Sequence, residues 1–294
     1  MIGDRDENGG GSAVTMLVEL KNIGKTYDRK SVLKNISLTI GKQQIIAILG
    51  GNGVGKSTLL RIVAGMERPS SGKIIFQNKK INIGYAPERF PKNIRFTPEE
   101  YLNYTGKISG MPRSIMHKSI PDLLKRFKLE QFNDQWVMNL SKGNNQKVGI
   151  IQAIIKRPDL LILDEPLSGL DSHGQQELLR IMKELKKEGT TILLTYHESN
   201  LFEKMVDAAY YVKNGVLTKT IDIVKEPIKL LEVERLDESN VEKWDEIINI
   251  EKKTDKLLLY VRAKDSDKVL YRILQSQGSI NRVVTVEAPG EDNT

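Results

Sequence analysis

The run Gly50-Gly51-Asn52-Gly53-Val54-Gly55-Lys56-Ser57 has the spacing GxxxxGK[ST]. That pattern suits a polyphosphate. Glycines let backbone N–H groups turn inward and approach phosphate oxygens closely. A helix opening at Lys56 adds a favourable field for an anion. Gly50, Asn52, Gly53 and Gly55 would form the cradle, with Thr58 in the first turn behind it. Lys56 would reach the β- and γ-phosphates, and the Ser57 hydroxyl would ligate Mg²⁺. From average residue usage, a chance match somewhere in a chain of this length is on the order of 1%. A second constellation is Leu160-Leu161-Ile162-Leu163-Asp164-Glu165. Here an apolar strand delivers two carboxylates to its C-terminal end, where ligands sit in parallel α/β sheets. Asp164 fits a Mg²⁺ partner, and Glu165 fits the group that polarises an attacking water. Alone, Asp-Glu after an apolar run is only a strand end; with the glycine loop it completes a phosphoryl-transfer site.

Alternating strands and helices must hold these residues. Leu17–Leu20, Val32–Ile40 and Gln43–Leu49 read as strands, followed by a helix from Lys56 to about Ala64. Lys73–Gln77 and Ile81–Tyr85 read as further strands. From Pro98 to about Phe127 the chain reads as helices broken at Pro112 and Pro121, and Asn144–Lys156 as another helix. Leu160–Leu163 is a fully apolar strand, Ser172–Glu188 an amphipathic helix, and Thr190–Thr195 a β-rich strand. This alternation predicts an α/β P-loop sheet over residues 16–226, with a helical subdomain inserted at about 98–156. Residues 227–294 read as a small α+β domain of order βαββαβ, the ferredoxin-like pattern. Its elements are Ile228–Glu234, a helix from the capping box at Ser239 to about Ile247, a hairpin over Ile248–Arg262, a helix over Ser266–Gln277 and a strand over Ser279–Glu287. Such a domain serves as a regulatory or assembly surface or as a structural cap, and fold alone does not choose. Residues 1–15, rich in charge and glycine, read as a flexible leader, with Met16 the expected natural start.

From about Leu17 to Leu217 the chain resembles the ATP-binding-cassette (ABC) ATPases, and further motifs follow in that family's order. The resemblance implies ATP and Mg²⁺ as cofactors. Tyr27 lies where the family places an aromatic that stacks on adenine; by itself it would be an ordinary packed or surface tyrosine. Leu140-Ser141-Lys142-Gly143-Asn144 corresponds to the signature Leu-Ser-Gly-Gly-Gln, with Lys142 in place of Gly and Asn144 in place of Gln. Ser141 and Gly143 would open a helix and contact the γ-phosphate held by a second subunit. Lys142 either adds positive charge near that phosphate or points to solvent. Ser168-Gly169-Leu170-Asp171 resembles the loop that crosses the dimer interface. His197, after Thr195 and Tyr196, resembles the switch histidine that holds the γ-phosphate and orients Glu165 and the water. Glu88 stands where the family usually carries a glutamine that touches Mg²⁺. A carboxylate still ligates Mg²⁺ but, ionised, donates no hydrogen bond. Glu88 is expected to keep the metal-sensing role, the alternative being coupling through backbone movement alone.

The bulk composition narrows the function classes. With no cysteine, disulfides, zinc–thiolate sites and cysteine nucleophiles are excluded. No apolar run approaches the ~18–20 residues that span a bilayer, and the start carries no signal-peptide pattern. The net charge of +7 is spread over many lysines rather than blocked, which favours a solvated basic surface over nucleic-acid contact. The resemblance implies a cytoplasmic protein, peripheral on the inner face of the membrane through a permease partner. It would dimerise, as a homo- or heterodimer, around two MgATP and drive a separate multi-span permease. The Ser-Lys-Gly-Asn-Asn-Gln signature resembles the bacterial exporter branch with separate permeases. The alternative is a soluble cassette ATPase acting on ribosomes or DNA; against it, translation-type relatives carry two cassettes per chain and repair-type relatives insert long coiled coils. A nucleotide-gated subunit with little turnover is disfavoured by the presence of Glu165 and His197.

Overall fold

The computed structural model describes residues 15–78, 80–91, 93–196, 200–203, 205–220, 228–236, 241, 244, 246–253 and 256–286. The chain divides into two compact units, Met1–Ile223 and Val224–Thr294.

In the first unit, β1 (Met16–Tyr27) lies between β2 (Lys30–Gly41) and β4 (Ser71–Phe76) in an antiparallel sheet. A second sheet has the order β5-β6-β7-β3-β8-β9. Its strands are β3 (Ile45–Leu49), β5 (Ile83–Ala86), β6 (Leu160–Leu163), β7 (Thr191–Thr195), β8 (Ala208–Lys213) and β9 (Val216–Thr220). From β5 to β8 all neighbours are parallel, and only β9 returns antiparallel. The last two strands are not among the elements anticipated from sequence. Asn214-Gly215 joins them with both residues at positive φ, the dipeptide and geometry of a tight hairpin.

A parallel strand between helical layers must be apolar on both faces, and β3 is. Ile45 and Ala47 enter a core shared with α2 (Pro98–Ile108), α3 (Arg113–Arg126), α4 (Lys142–Ile154) and α5 (Ser172–Lys187). Ile46 and Ile48 enter a second core shared with β1, β2 and α1 (Lys56–Val63). Helix α2 begins as its sequence dictates. Thr97 caps it, Glu100 completes the capping box, and Pro98 sits in the first turn. Pro112 marks the start of α3, but Pro121 lies inside that helix, so the expected break there does not occur. An interior proline costs about 3 kcal/mol relative to alanine. Burial of Met116, Ile120 and Leu124 along one face carries the helix through it. A short helix, α6 (Asn200–Glu203), follows β7.

The second unit holds β10 (Ile228–Glu234), β11 (Ile247–Lys253), β12 (Lys256–Arg262), α7 (Ser266–Gln275) and β13 (Ser279–Val286). The sheet order is β11-β12-β10-β13 with every pair antiparallel. That is the order a βαββαβ chain produces when its last strand returns beside its first. The helix anticipated between β10 and β11 lies mostly outside the described residues. Val269 and Ile273 of α7 pack on Leu231, Val233, Leu259 and Val261 to form this unit's own core.

Candidate nucleotide-binding and hydrolysis site

Three parallel strand ends build the site. The register pairs Ile48 of β3 with Thr195 of β7, and Leu194 of β7 with Leu163 of β6. The glycine loop, Thr195 and Asp164 therefore leave the sheet side by side. Gly50 and Gly55 have φ of 142° and 107°. At Gly50 a Cβ would stand 2.6 Å from the Val212 carbonyl oxygen, and at Gly55 2.9 Å from side-chain carbons of Val32 and Leu33. Conformation and space both demand glycine there. Gly53 has open space around it, on the side where a ligand would approach.

Lys56 is only 5% exposed. Its ammonium donates to the carbonyls of Gly50 at 2.9 Å and Gly51 at 3.0 Å, and lies 3.7 Å from a Glu165 oxygen. Two loop carbonyls and the Glu165 carboxylate thus hold the ammonium inside the loop that would receive a phosphate. Tyr27, Asn52, Gly53, Gly55, Lys56, Ser57, Thr58, Glu88 and Glu165 line one cleft of about 550 Å³. An adjoining hollow of about 660 Å³ is lined by Ser57, Glu88 and Asp164 together with Tyr85 and Tyr101. The three residues expected at the metal thus share one hollow, and Ser57 and Glu88 border both spaces. A hydroxyl and two carboxylates are the hard oxygen donors that Mg²⁺ takes beside phosphate oxygens. Burial, and then the Asp164 charge, push the Tyr85 phenol up to about 12, so it stays neutral beside them.

Thr195, a site residue that sequence reasoning overlooks, joins the two carboxylates. Its fully buried hydroxyl donates to Asp164 Oδ1 at 2.7 Å and accepts from the Glu165 backbone N–H at 2.8 Å. Glu165 itself has φ of 47°, a left-handed conformation for a residue with a side chain. Such conformations cost of order 1–3 kcal/mol and persist where the surroundings enforce them. Here the Thr195 hydroxyl holds the amide while the carboxylate turns toward Lys56. The available sequence signal was a hydroxyl closing the otherwise apolar run Ile192–Leu194.

The loop bearing Glu88 is clamped by α4. Gln146 donates to the Pro87 carbonyl at 3.0 Å, and Asn145 to those of Phe90 and Pro91 at 3.2 and 3.3 Å. These bonds join the backbone of the Glu88 loop directly to the helical subdomain. Glu88 also pairs with Arg89 at 3.7 Å.

Ser141, Gly143 and Asp171 do not line either space. Ser141 caps α4, accepting from the Asn144 N–H at 3.2 Å. A Cβ on Gly143 would lie 2.2 Å from the Gly169 carbonyl oxygen, so glycine permits this close approach of two loops. Lys142 is exposed and does not line its own chain's cleft. Its stem runs past Gly169, and its Nζ lies 3.2 Å from Ser168 Oγ. Asp171 caps α5 through the Gly174 N–H at 2.7 Å and pairs with Lys147 at 3.0 Å. The backbone bond from Gly174, then that from Lys147, hold its carboxyl below the usual range. His197 lies outside the described residues.

A glycine cradle, a buried lysine and an Asp-Glu pair at adjacent parallel strand ends define a P-loop nucleotide-hydrolysing cassette. The profile of the ABC transporter family matches residues 33–168. Over 88% of its length the chain is 32% identical to the "Uncharacterized ABC transporter ATP-binding protein MJ1023" of Methanocaldococcus jannaschii, covering 95% of that protein. It is 35% identical to the "Zinc import ATP-binding protein ZnuC" of Pasteurella multocida, over 63% of this chain and 68% of that protein. Among solved structures, an ATP-binding subunit of an ABC transporter superposes with TM-score 0.65 at 30% identity, over 69% of this chain and 89% of that one. The dimeric cassette MJ0796 superposes with TM-score 0.63 at 26% identity, over 70% and 100%. The chain belongs to the ABC transporter family as an ATP-binding subunit, and it is an ATPase.

Proposed function

We propose that this subunit hydrolyses MgATP in a dimer of cassettes and so drives a separate multi-span permease in export. Supporting the chemistry is the convergence of Lys56, Ser57 and Glu165 on one cleft and of Ser57 and Asp164 on the hollow adjoining it. Lys56 would hold the β- and γ-phosphates. Mg²⁺, held by Ser57 and Asp164 with Glu88 beside it, would neutralise charge on the transferred phosphoryl group. Glu165, with His197, would orient the attacking water. Positioning and electrostatics do most of this work. Ser141 and Gly143 lie away from their own chain's cleft, which suits donation to a second chain's ATP, with Asp171 at the crossing loop.

The permease reading rests on an exposed apolar patch. No described helix is long and apolar enough to cross a membrane. In the helical subdomain, Phe96, Tyr104, Trp136 and Met138 are exposed, and the rings of Phe96 and Tyr104 stack at 5.6 Å. The N–H groups of Val137 and Met138 donate to the Phe96 and Ile94 carbonyls, which brings the two segments together. Clustered exposed aromatics mark interaction surfaces, and an amphipathic helix of a membrane chain fits this one. The subunit would then be cytoplasmic, peripheral on the inner face of the membrane. Export rests on the form of the signature, because relatives named for zinc import match as well.

The test is capture of Glu165→Gln with MgATP from detergent-solubilised cells, followed by mass spectrometry of copurifying chains. A multi-span membrane protein in near-equal amount supports the reading, and its loss in Phe96→Asp/Tyr104→Asp assigns the surface. Ribosomal proteins or nucleic acid without a membrane chain would replace it with the soluble alternative. Cargo retained inside cells lacking the intact subunit supports export; cargo failing to enter contradicts it.

A further inference from the structure

Tyr27, at the end of β1, is 39% exposed and lines the nucleotide cleft beside Asn52, Gly53 and Thr58. Its hydroxyl is nonetheless tethered, donating to the Glu67 carboxylate. Glu67 is 40 residues away in sequence and follows α1. The same carboxylate pairs with Lys25 at 2.8 Å and with Arg61 Nε at 3.1 Å. Lys25 also stands over the Tyr27 ring, 4.9 Å from its centroid, and donates to the Arg68 carbonyl at 2.9 Å. Lys25 is not among the residues lining the cleft. Arg61 projects from α1, and its Nη2 donates to Thr58 Oγ1 at 3.3 Å, one residue past the Ser57 expected at the metal. One carboxylate thus gathers the aromatic ring, the cation over it and an arginine of the phosphate-binding helix. Burial alone would raise the Glu67 pKa; the bonds from Lys25, Tyr27 and Arg61 outweigh it and hold the group at about 2. The hub is therefore ionised at neutral pH.

An exposed tyrosine at a strand end would lose rotamer freedom each time a base stacked on it. A ring fixed beforehand does not incur that cost on binding. We propose that Glu67 is a positioning residue: it pre-sets the Tyr27 ring for the base of the nucleotide and, through Arg61, ties that ring to the phosphate-binding helix. This rests on the reading of Tyr27 as the base-stacking residue. The cost of ordering one side chain corresponds to about 3- to 10-fold in affinity.

The experiment compares the ATP KM and kcat of Glu67→Ala, Tyr27→Phe, their double variant, Glu67→Gln and Tyr27→Ala. Inorganic tripolyphosphate, which has no base, is the control ligand, with binding measured by calorimetry. Glu67→Ala is expected to raise KM for ATP about 3- to 10-fold with kcat within about twofold, leaving tripolyphosphate affinity unchanged. Tyr27→Phe should act alike, and the double variant should cost no more than either single one. Glu67→Gln keeps an acceptor for the hydroxyl and should recover part of the loss. Equal losses for ATP and tripolyphosphate would mean that Glu67 merely supports the loop, and additive single losses would mean that it acts apart from Tyr27; either overturns the inference. If Tyr27→Ala raises KM while Glu67→Ala does not, the inference fails and base stacking stands. If Tyr27→Ala itself leaves KM unchanged, the stacking reading fails and the inference with it.

Discussion

The residues around Lys56 are held by three strand ends in register, whereas Ser141, Gly143 and Asp171 are held by helix starts and by neighbouring loops of the same unit. At the first region, buried polar groups satisfy one another inside the sheet: Thr195 bridges Asp164 and Glu165, and Lys56 rests on two loop carbonyls. At the second, the Ser141 hydroxyl caps its own helix, and Lys142 reaches across to Ser168. The cleft region is preformed for phosphate. The signature region is held by its own caps and loop contacts, and its residues line neither of the two spaces around Lys56. On this account one chain carries one complete cradle and the lid of another.

Changes that separate cradle from lid sharpen the comparison, and the largest effect belongs to the cradle. Glu165→Gln should lower ATP hydrolysis by about 10²–10⁴-fold with nucleotide affinity retained, measured by phosphate release and by equilibrium binding. Thr195→Val comes next. It removes a buried hydroxyl that serves two partners, which should cost about 1–3 kcal/mol in denaturant unfolding and also reduce hydrolysis, since Glu165 loses its anchor. Ser141→Ala should cost only about 1 kcal/mol as a lost cap. It should leave ATP binding by the monomer intact and reduce only the hydrolysis that depends on the dimer. Equal damage to monomer binding would break the division between the two regions.

The smallest expected effect is on acid stability. Glu67 falls from 4.5 to about 2 on folding. Its contribution is fully present above about 4.5 and is lost as pH falls toward about 2. Glu67→Gln should therefore lower stability most above about pH 4.5, where the ionised carboxylate contributes in full, and flatten the acid limb, the two proteins converging as pH falls toward about 2. The effect is modest because solvent screens a partly accessible network. Unchanged acid limbs in chemical denaturation from pH 2 to 7 would refute it.

Local pattern made the cradle legible. Gly50–Ser57 and Leu160–Glu165 are contiguous, and each residue type states its own demand. The strand–helix alternation of the first unit, and the four strands and the second helix of the second unit, could be read for the same reason. What escaped depends on register and distance. A hydroxyl closing an apolar run marks Thr195 only weakly; pairing with Ile48 of β3, and hydrogen bonds to Asp164 and Glu165 beyond the end of β6, give it its role. Glu67 meets Tyr27 only because β1 ends beside the segment that follows α1. Lys142 reads from sequence as a charge near phosphate or in solvent, and only the approach of Gly143 to Gly169 reveals Ser168 as its partner. Pro121 reads as a break because local propensity ignores the apolar face that carries α3 past it.

The most direct test of the shared site is the mass of Glu165→Gln in solution, by sedimentation or light scattering, with and without MgATP. The account predicts a monomer without nucleotide and a dimer with MgATP, the dimer vanishing when Ser141→Ala is added while each monomer still binds ATP. A Glu165→Gln protein saturated with MgATP that stays monomeric at high concentration would contradict it.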